Sequence, residues 1–290
     1  MEPILSLQEK NELKSKGIVP QKQDGYFAIR VIGKSGVFTS REFSILSKVA
    51  DQYGNKELNL TSRLTVEIPY IKYDDIEKVT NIVQENGLIV GGGGKTVRAI
   101  LSCKGSVCSN GLIDTQKISK EVHNEFFGRE LPAKFKIAVL GCKNSYGKAQ
   151  SNDLSILPLT GVRIDNRKCI ECKVCLKVCP DKAFEYKDGK YSIMENKCSN
   201  CGKCVSFCPA HAVESDSEKI DILVFIGGRM GREASLGKPL RKKFKEEDIL
   251  QVIDTIVNYF KENANEGERF AQLIDRVGFD KVEECIINSI

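Results

Sequence analysis

The sequence predicts an α+β fold interrupted by a cysteine-rich insert. Two observations carry this expectation. Strand-like alternation and helix-like periodicity follow one another through residues 1–90 and resume in 91–160 and 218–290. Between the later strand signals, residues 161–217 hold a doubled cysteine motif. The alternating order of strands and helices is that of an α+β half-domain. The expected organisation is a first unit over 1–90, a second over 91–160 and 218–290, and an insert over 161–217.

Each element has its own signal. YFAIRVIG, residues 26–33, alternates as a strand does. From Phe43 to Tyr53 the apolar residues Phe43, Leu46, Val49 and Ala50 share one helical face. Leu58 to Ile68 reads as a strand ending at Pro69, and Asp74 to Glu85 as a helix stopped by Asn86-Gly87. The run Gly91 to Gly94 before Lys95-Thr96 lacks the phosphate-loop spacing, since Ile89 stands where that motif needs glycine. Bare glycines there let the backbone approach a bulky group, or simply turn. Val97 to Ser102 reads as a strand running into Cys103, and Lys134 to Leu140 as one delivering Cys142. Between them Ile118, Val122 and Phe126 repeat at helical spacing, with His123 as an ordinary helix residue. Ile220 to Ile226 is a strand leading to Gly227-Gly228-Arg229. Glu246 to Asn263 is a long amphipathic helix, and Arg269 to Val277 is read as the last helix.

Composition narrows the function classes. The 290 residues are 41% hydrophobic and 29% charged, with a net charge of +5. That mild excess suits small anions or an acidic partner, not a nucleic acid. The run Arg241-Lys242-Lys243 with Lys245 reads as a solvated helix entry. The opening MEPILSLQEKNELKSKG lacks the order of an export signal. No apolar run approaches the roughly 20 residues of a membrane span, so a cytoplasmic protein is expected. Of twelve cysteines, eleven cluster at 103–108, 142 and 169–208, and Cys285 stands alone as an expected buried thiol. Clustered thiolates in a reducing compartment point to soft metals or iron–sulfur clusters.

Cys169, Cys172, Cys175 and Cys179 before Pro180 spell C-x2-C-x2-C-x3-C-P. Cys198, Cys201, Cys204 and Cys208 before Pro209 repeat it 29 residues later. This segment resembles two-cluster bacterial ferredoxins, in which the fourth cysteine of each copy ligates the other cluster. One [4Fe–4S] cluster is therefore expected on Cys169, Cys172, Cys175 and Cys208, and a second on Cys198, Cys201, Cys204 and Cys179. Separate zinc sites have no use for the duplicated fourth cysteine.

A second constellation comprises Cys103-Lys-Gly-Ser-Val-Cys108 and Gly141-Cys142-Lys-Asn-Ser-Tyr146. Together with YFAIRVIGKSGVFTSREF, LNLTSRLTVEIP and IGGRMGREASLGKPL, it resembles the sirohaem-dependent sulfite and nitrite reductases. The likeness is strongest to the catalytic C-type subunits of anaerobic sulfite reductases. The resemblance implies a sulfite/nitrite reductase-like half-domain, a sirohaem/[4Fe–4S] domain and an inserted two-cluster ferredoxin domain. It implies a third [4Fe–4S] cluster on Cys103, Cys108 and Cys142, with the thiolate that bridges to sirohaem at position 146. Here that position is Tyr146, and the first pair is spaced C-x4-C.

Three arrangements remain open for this departure: a cluster on three cysteines, altered sirohaem ligation, or loss of the third site. The resemblance also implies a cationic cage for a small oxyanion, sulfite or nitrite, and for the macrocycle carboxylates. Its positions match Arg30, Arg63, Arg98, Lys134 and Lys136. Arginine offers oxyanions a fixed fork, and lysine adds a mobile charge and protons. Larger relatives join two half-modules in one chain, so a single copy implies a homo-oligomer. The expected activity is reduction of sulfite to sulfide, fed by an electron-donor protein or subunit. The rival expectation is an electron-transfer or redox-responsive protein without the catalytic haem, and nitrite remains an alternative substrate.

Overall fold

The computed structural model describes residues 5–290, with the backbone alone for 217–219. Residues 1–4, on which part of the export-signal reading falls, lie outside the described residues. So do the side chains at 217–219, where the expected boundary between insert and second unit falls.

The first unit is a sheet with two helices on one face. Its elements are α1 (Leu7–Ser15), β1 (Ile18–Pro20), β2 (Tyr26–Ile32), α2 (Ser40–Tyr53), β3 (Asn59–Leu60), β4 (Thr65–Lys72), α3 (Ile76–Glu85) and β5 (Ile89–Val90). All pairings are antiparallel, with β2 joined to β1, β4 and β5, and β4 to β3. Strand alternation puts Phe27, Ile29 and Val31 in one core with Leu46 and Val49 of α2 and Val79 and Val83 of α3. Arg30 takes the opposite face and meets its cross-strand partner Glu67 at 2.6 Å. Thr39 and Glu42 cap α2 reciprocally, as Ser6 and Glu9 cap α1.

Two expectations need correction here. The stretch Leu58 to Ile68 is a hairpin, because Leu64 takes a positive φ of 58° and Thr61 hydrogen-bonds Thr65 across the turn. The second strand also runs through Pro69. Pairing with β2 slips between Phe27 and Ile29, so Pro69 and Tyr70 form a bulge that asks no ladder hydrogen bond of the proline.

The second unit is a mixed sheet covered by helices. It comprises β6 (Leu101–Ser102), α4 (Thr115–Phe126), β7 (Ile137–Val139), β8 (Leu154–Ile164), β11 (Val213–Ile226), β12 (Lys238–Pro239), α7 (Ile249–Asn263), α8 (Phe270–Val277) and α9 (Phe279–Asn288). The order is β12-β11-β8-β7-β6, parallel from β6 to β8 and antiparallel beyond. Phe135, Phe260 and Phe270 stack at its centre, with ring centroids 5.4–5.5 Å apart. The strands expected at Val97–Ser102 and Lys134–Leu140 are shorter than their signals. Val97 and Phe135 instead meet in an isolated parallel bridge.

A further helix, α9, follows Gly278, whose φ of 95° ends α8. Helix α9 turns Val282, Glu283 and Ile286 inward and leaves Cys285 exposed, contrary to its expected burial. Three members of the basic run pair with acids: Arg241 binds buried Glu283 at 2.6 Å, and Lys243 and Lys245 bind Asp221, while Lys242 lies over the Phe244 ring.

Between β8 and β11 lie α5 (Val174–Val178), β9 (Phe184–Lys187), β10 (Lys190–Ile193) and α6 (Lys203–Phe207). They enclose a small core of Phe184, Cys204 and Val213. Strands β8 and β11 form the arm that carries this segment, and Asp165 N–H donates to Ala212 O at 2.8 Å where the arm ends. Among the described residues, no helix is long and apolar enough to cross a membrane.

Candidate active site and cluster-binding loops

The parallel pairing of β6 with β7 sets Ser102 beside Val139, so Cys103 and Cys142 leave neighbouring strands at the same sheet edge. Gly141 N–H donates to Cys103 Sγ at 3.1 Å. Glycine is required where the two loops touch and where the first folds back on itself. A Cβ on Gly141 would lie 2.9 Å from Gly105 Cα, and one on Gly111 would lie 1.9 Å from Gly105 O. Cys103, Cys108 and Cys142 line one cavity of about 520 Å³, with Asn144, Leu64 and Tyr146. Tyr146 is 91% exposed and stands at the rim rather than among the thiols. Burial pushes the Cys142 thiol up, and Cys103 and Cys108 push it further.

Arg30, Arg63, Arg98, Lys134 and Lys136 line a second cavity of about 200 Å³. Ser62 lines both cavities, so the two are neighbours. Arg30 comes from β2, Arg63 from the β3–β4 turn, and the other three from the second unit, so the cavity lies between the units. Burial lowers Arg63 and Arg98 to about 10 each, and Arg98 is lowered further by Arg30 and Arg269. Lys134 and Lys136 are lowered by burial and then by neighbouring cations. Arg63 also serves as a staple. It donates to Ala99 O at 2.7 Å, Ile137 O at 2.8 Å and Asn152 Oδ1 at 3.0 Å. Arg98 Nε is buried without a partner among the described residues. The glycine run Gly91–Gly94 meets the chain itself: Gly92 O accepts from Arg30 and Arg98, and a Cβ on Gly93 would lie 1.6 Å from Lys14 O.

In the insert, Cys169, Cys172, Cys175 and Cys208 line one small cavity. Cys179 acts electrostatically on Cys198 and on Cys204, and Cys204 is pushed up to about 12, chiefly by burial. The two copies match in detail: Ala183 N–H donates to Cys179 Sγ at 3.3 Å, and Ala212 N–H to Cys208 Sγ at 3.2 Å. Among the described residues, no three His, Cys, Asp or Glu side chains converge on a single metal ion. A further cavity of about 590 Å³ is shared by Cys142 and Cys201. Two contacts cross at this junction: Lys143 Nζ donates to Ser199 Oγ at 2.6 Å, and Ser206 Oγ to Asn110 Oδ1 at 3.1 Å.

Residues 93–289 match the nitrite and sulphite reductase 4Fe-4S domain, and residues 19–86 match the nitrite/sulfite reductase ferredoxin-like half domain. The chain belongs to the nitrite and sulfite reductase family. It is 35% identical over 272 residues to the coenzyme F420-dependent sulfite reductase of Methanocaldococcus jannaschii, covering 92% of this chain and 43% of that protein. It is 26% identical to the C-type subunit of the anaerobic sulfite reductase of Salmonella typhimurium, covering 99% of this chain and 89% of that protein. The fold superposes on the crystal structure of dissimilatory sulfite reductase I with a TM-score of 0.78 at 21% identity, covering 90% of this chain and 69% of that one.

The α+β expectation therefore holds for this reductase-family chain, as does its place among iron–sulfur oxidoreductases. The residues present suit the family's cofactors. Soft thiols gather at a loop cavity, and next to it lies a cavity lined by five cationic side chains, which suits an anionic group. Sequence reasoning missed Asn152, Asp153 and Arg269. Asn152 orients Arg63, while Asp153 accepts from Arg269 at 2.9 Å and from Lys136 N–H at 2.9 Å. The buried Asn-Asp pair opening β8 was the one signal available. Arg269 carried none, since 116 residues separate it from Asp153.

Proposed function

We propose that this chain reduces sulfite to sulfide at a sirohaem–[4Fe–4S] centre fed by two further [4Fe–4S] clusters in the insert. The observation that carries this reading is the convergence of five cationic side chains on one cavity next to the three-thiol loops. The sulfite reductases among its relatives support sulfite over nitrite as substrate.

When bound, the sirohaem and its cluster supply the multi-electron chemistry. The chain supplies the rest. Cys103, Cys108 and Cys142 would hold the third cluster. Arg30 and Arg98 bind the oxyanion and macrocycle carboxylates, and Arg63 does so from a position fixed by its carbonyl contacts. Lys134 and Lys136, with proton affinity lowered by burial and like charge, would donate protons to the substrate oxygens, which leave as water. In the insert, Cys169, Cys172, Cys175 and Cys208 hold one cluster, and Cys198, Cys201, Cys204 and Cys179 hold the other. The Cys201 side of the insert would lie inward, because it shares a cavity with Cys142. Cys172 is exposed, so an electron-donor protein would approach the insert from that side. We assign the work to the cytoplasm, where thiolates stay reduced, and a second copy of the chain completes the pair of half-modules.

The second reading, an electron-transfer protein without sirohaem, is favoured by Tyr146 alone, which stands exposed where the bridging thiolate is expected. One experiment separates the two. The chain is purified without oxygen, its absorption spectrum is recorded, and the pigment is extracted into pyridine. A sirohaem band with viologen-driven sulfide release supports the reductase. Iron without extractable macrocycle leaves the electron-transfer reading.

A further inference from the structure

We propose that the Asp153–Arg269 pair sets the anion affinity of the cation cavity from behind it. This rests on reading that cavity as the oxyanion site. Neither residue lines the cavity. Asp153 is fully buried at the entrance to β8, and its carboxylate takes two bonds of 2.9 Å from Arg269 Nη2 and one of 2.9 Å from Lys136 N–H. Leu154 N–H in turn donates to Lys136 O at 3.0 Å, so the carboxylate and the lysine backbone are locked in register. Arg269 reaches this point from the cap of α8. Its side chain is 12% exposed, and its Nε is buried without a partner among the described residues.

The carboxylate acts electrostatically on Arg63, Arg98, Lys134 and Lys136, favouring the charged form of each. Left alone, it would cancel much of the field that an entering anion feels. Arg269 neutralises it and restores that field, while itself adding positive potential toward Arg98 and Lys134. The pair is thus a positioning and charge-setting element for groups it never hands to the substrate.

Calorimetric titration of the full chain, purified anaerobically, with sodium sulfite at low ionic strength tests this. Arg269→Gln weakens sulfite binding about tenfold, and Arg269→Lys, which keeps the charge, stays within about twofold of the parent. Asp153→Asn tightens binding, whereas a purely structural pair would weaken it in both variants. Thermal melts identify any variant that does not fold. If Asp153→Asn fails in this way, the comparison of Gln with Lys at 269 decides. Equal losses in those two variants, or none in Arg269→Gln, overturn the proposal. A parent chain that binds no sulfite removes the oxyanion reading itself, and this inference with it.

Discussion

Single side chains decide whether this chain is a complete reductase. Tyr146 lies at the rim of the thiol cavity, within one short loop of Cys142. Tyr146→Cys should supply a fourth thiolate and raise the oxygen stability of a three-cysteine cluster. Iron analysis and spectra of parent and variant, prepared anaerobically, check this. About eight irons in both, the total for two cubanes, would mean that Cys103, Cys108 and Cys142 hold no cluster. Arg63 makes a different case. Replacing it with alanine strips hydrogen bonds from Ala99 O, Ile137 O and Asn152 Oδ1. The expected loss is about 3 kcal/mol in denaturant unfolding, beyond any effect on anions. The lysines yield a pH prediction. Burial and neighbouring cations make Lys134 and Lys136 titrate below their ordinary 10.5, so they lose charge earlier than an ordinary lysine as pH rises. Sulfate affinity, measured by titration, should therefore fall before the ordinary lysine range is reached. An affinity flat up to that range would contradict it.

At the level of elements, pattern and topology were not equally legible. Amphipathic α2, α3, α4 and α7 announced themselves, because apolar residues at helical spacing have few other uses. The β3–β4 hairpin did not, since its turn depends on a positive φ at Leu64, a residue type that gives no such warning. Helix α9 was missed because Gly278 looked like an end and serves as a joint. The convergence of the five cations was legible only through family likeness. No spacing in the sequence tells that Arg30 and Lys136, in different units, face one cavity. The glycine run was ambiguous for a related reason, as its contact is with α1. Gly93→Ala drives a methyl group into Lys14 O. It should cost about 2 kcal/mol and speed amide exchange across residues 7–15, with the second-unit core unchanged. Unaltered exchange there would show that α1 is not held by this contact.

For the molecule as a whole, the two large cores meet at a charged cavity and a small one hangs from an arm. The second-unit core draws on α4, β7, β8, β11, α7, α8 and α9 and on loop residues such as Phe135 and Phe244, and takes nothing from residues 166–211. Excising that segment and closing Asp165 to Ala212 through a two-residue turn should leave a chain that folds cooperatively. Its iron content should drop by about eight. Aggregation of the shortened chain in a form without cooperative unfolding would show that the insert is part of the fold. The doubled motif made this segment visible from sequence. Its attachment was not, because the pairing of Ile164 with Val213 depends on strands that flank it.

The hydrogen bond from Asp165 to Ala212 has a consequence in polymer terms. The insert leaves and re-enters the sheet at one point, so it is a closed loop and threads nothing. The entropic cost of closing a loop grows only logarithmically, by about 0.6 kcal/mol for each doubling of its length. A segment of almost any size can be accommodated there, and what is grafted at that point is free to vary while the cation cavity stays as it is.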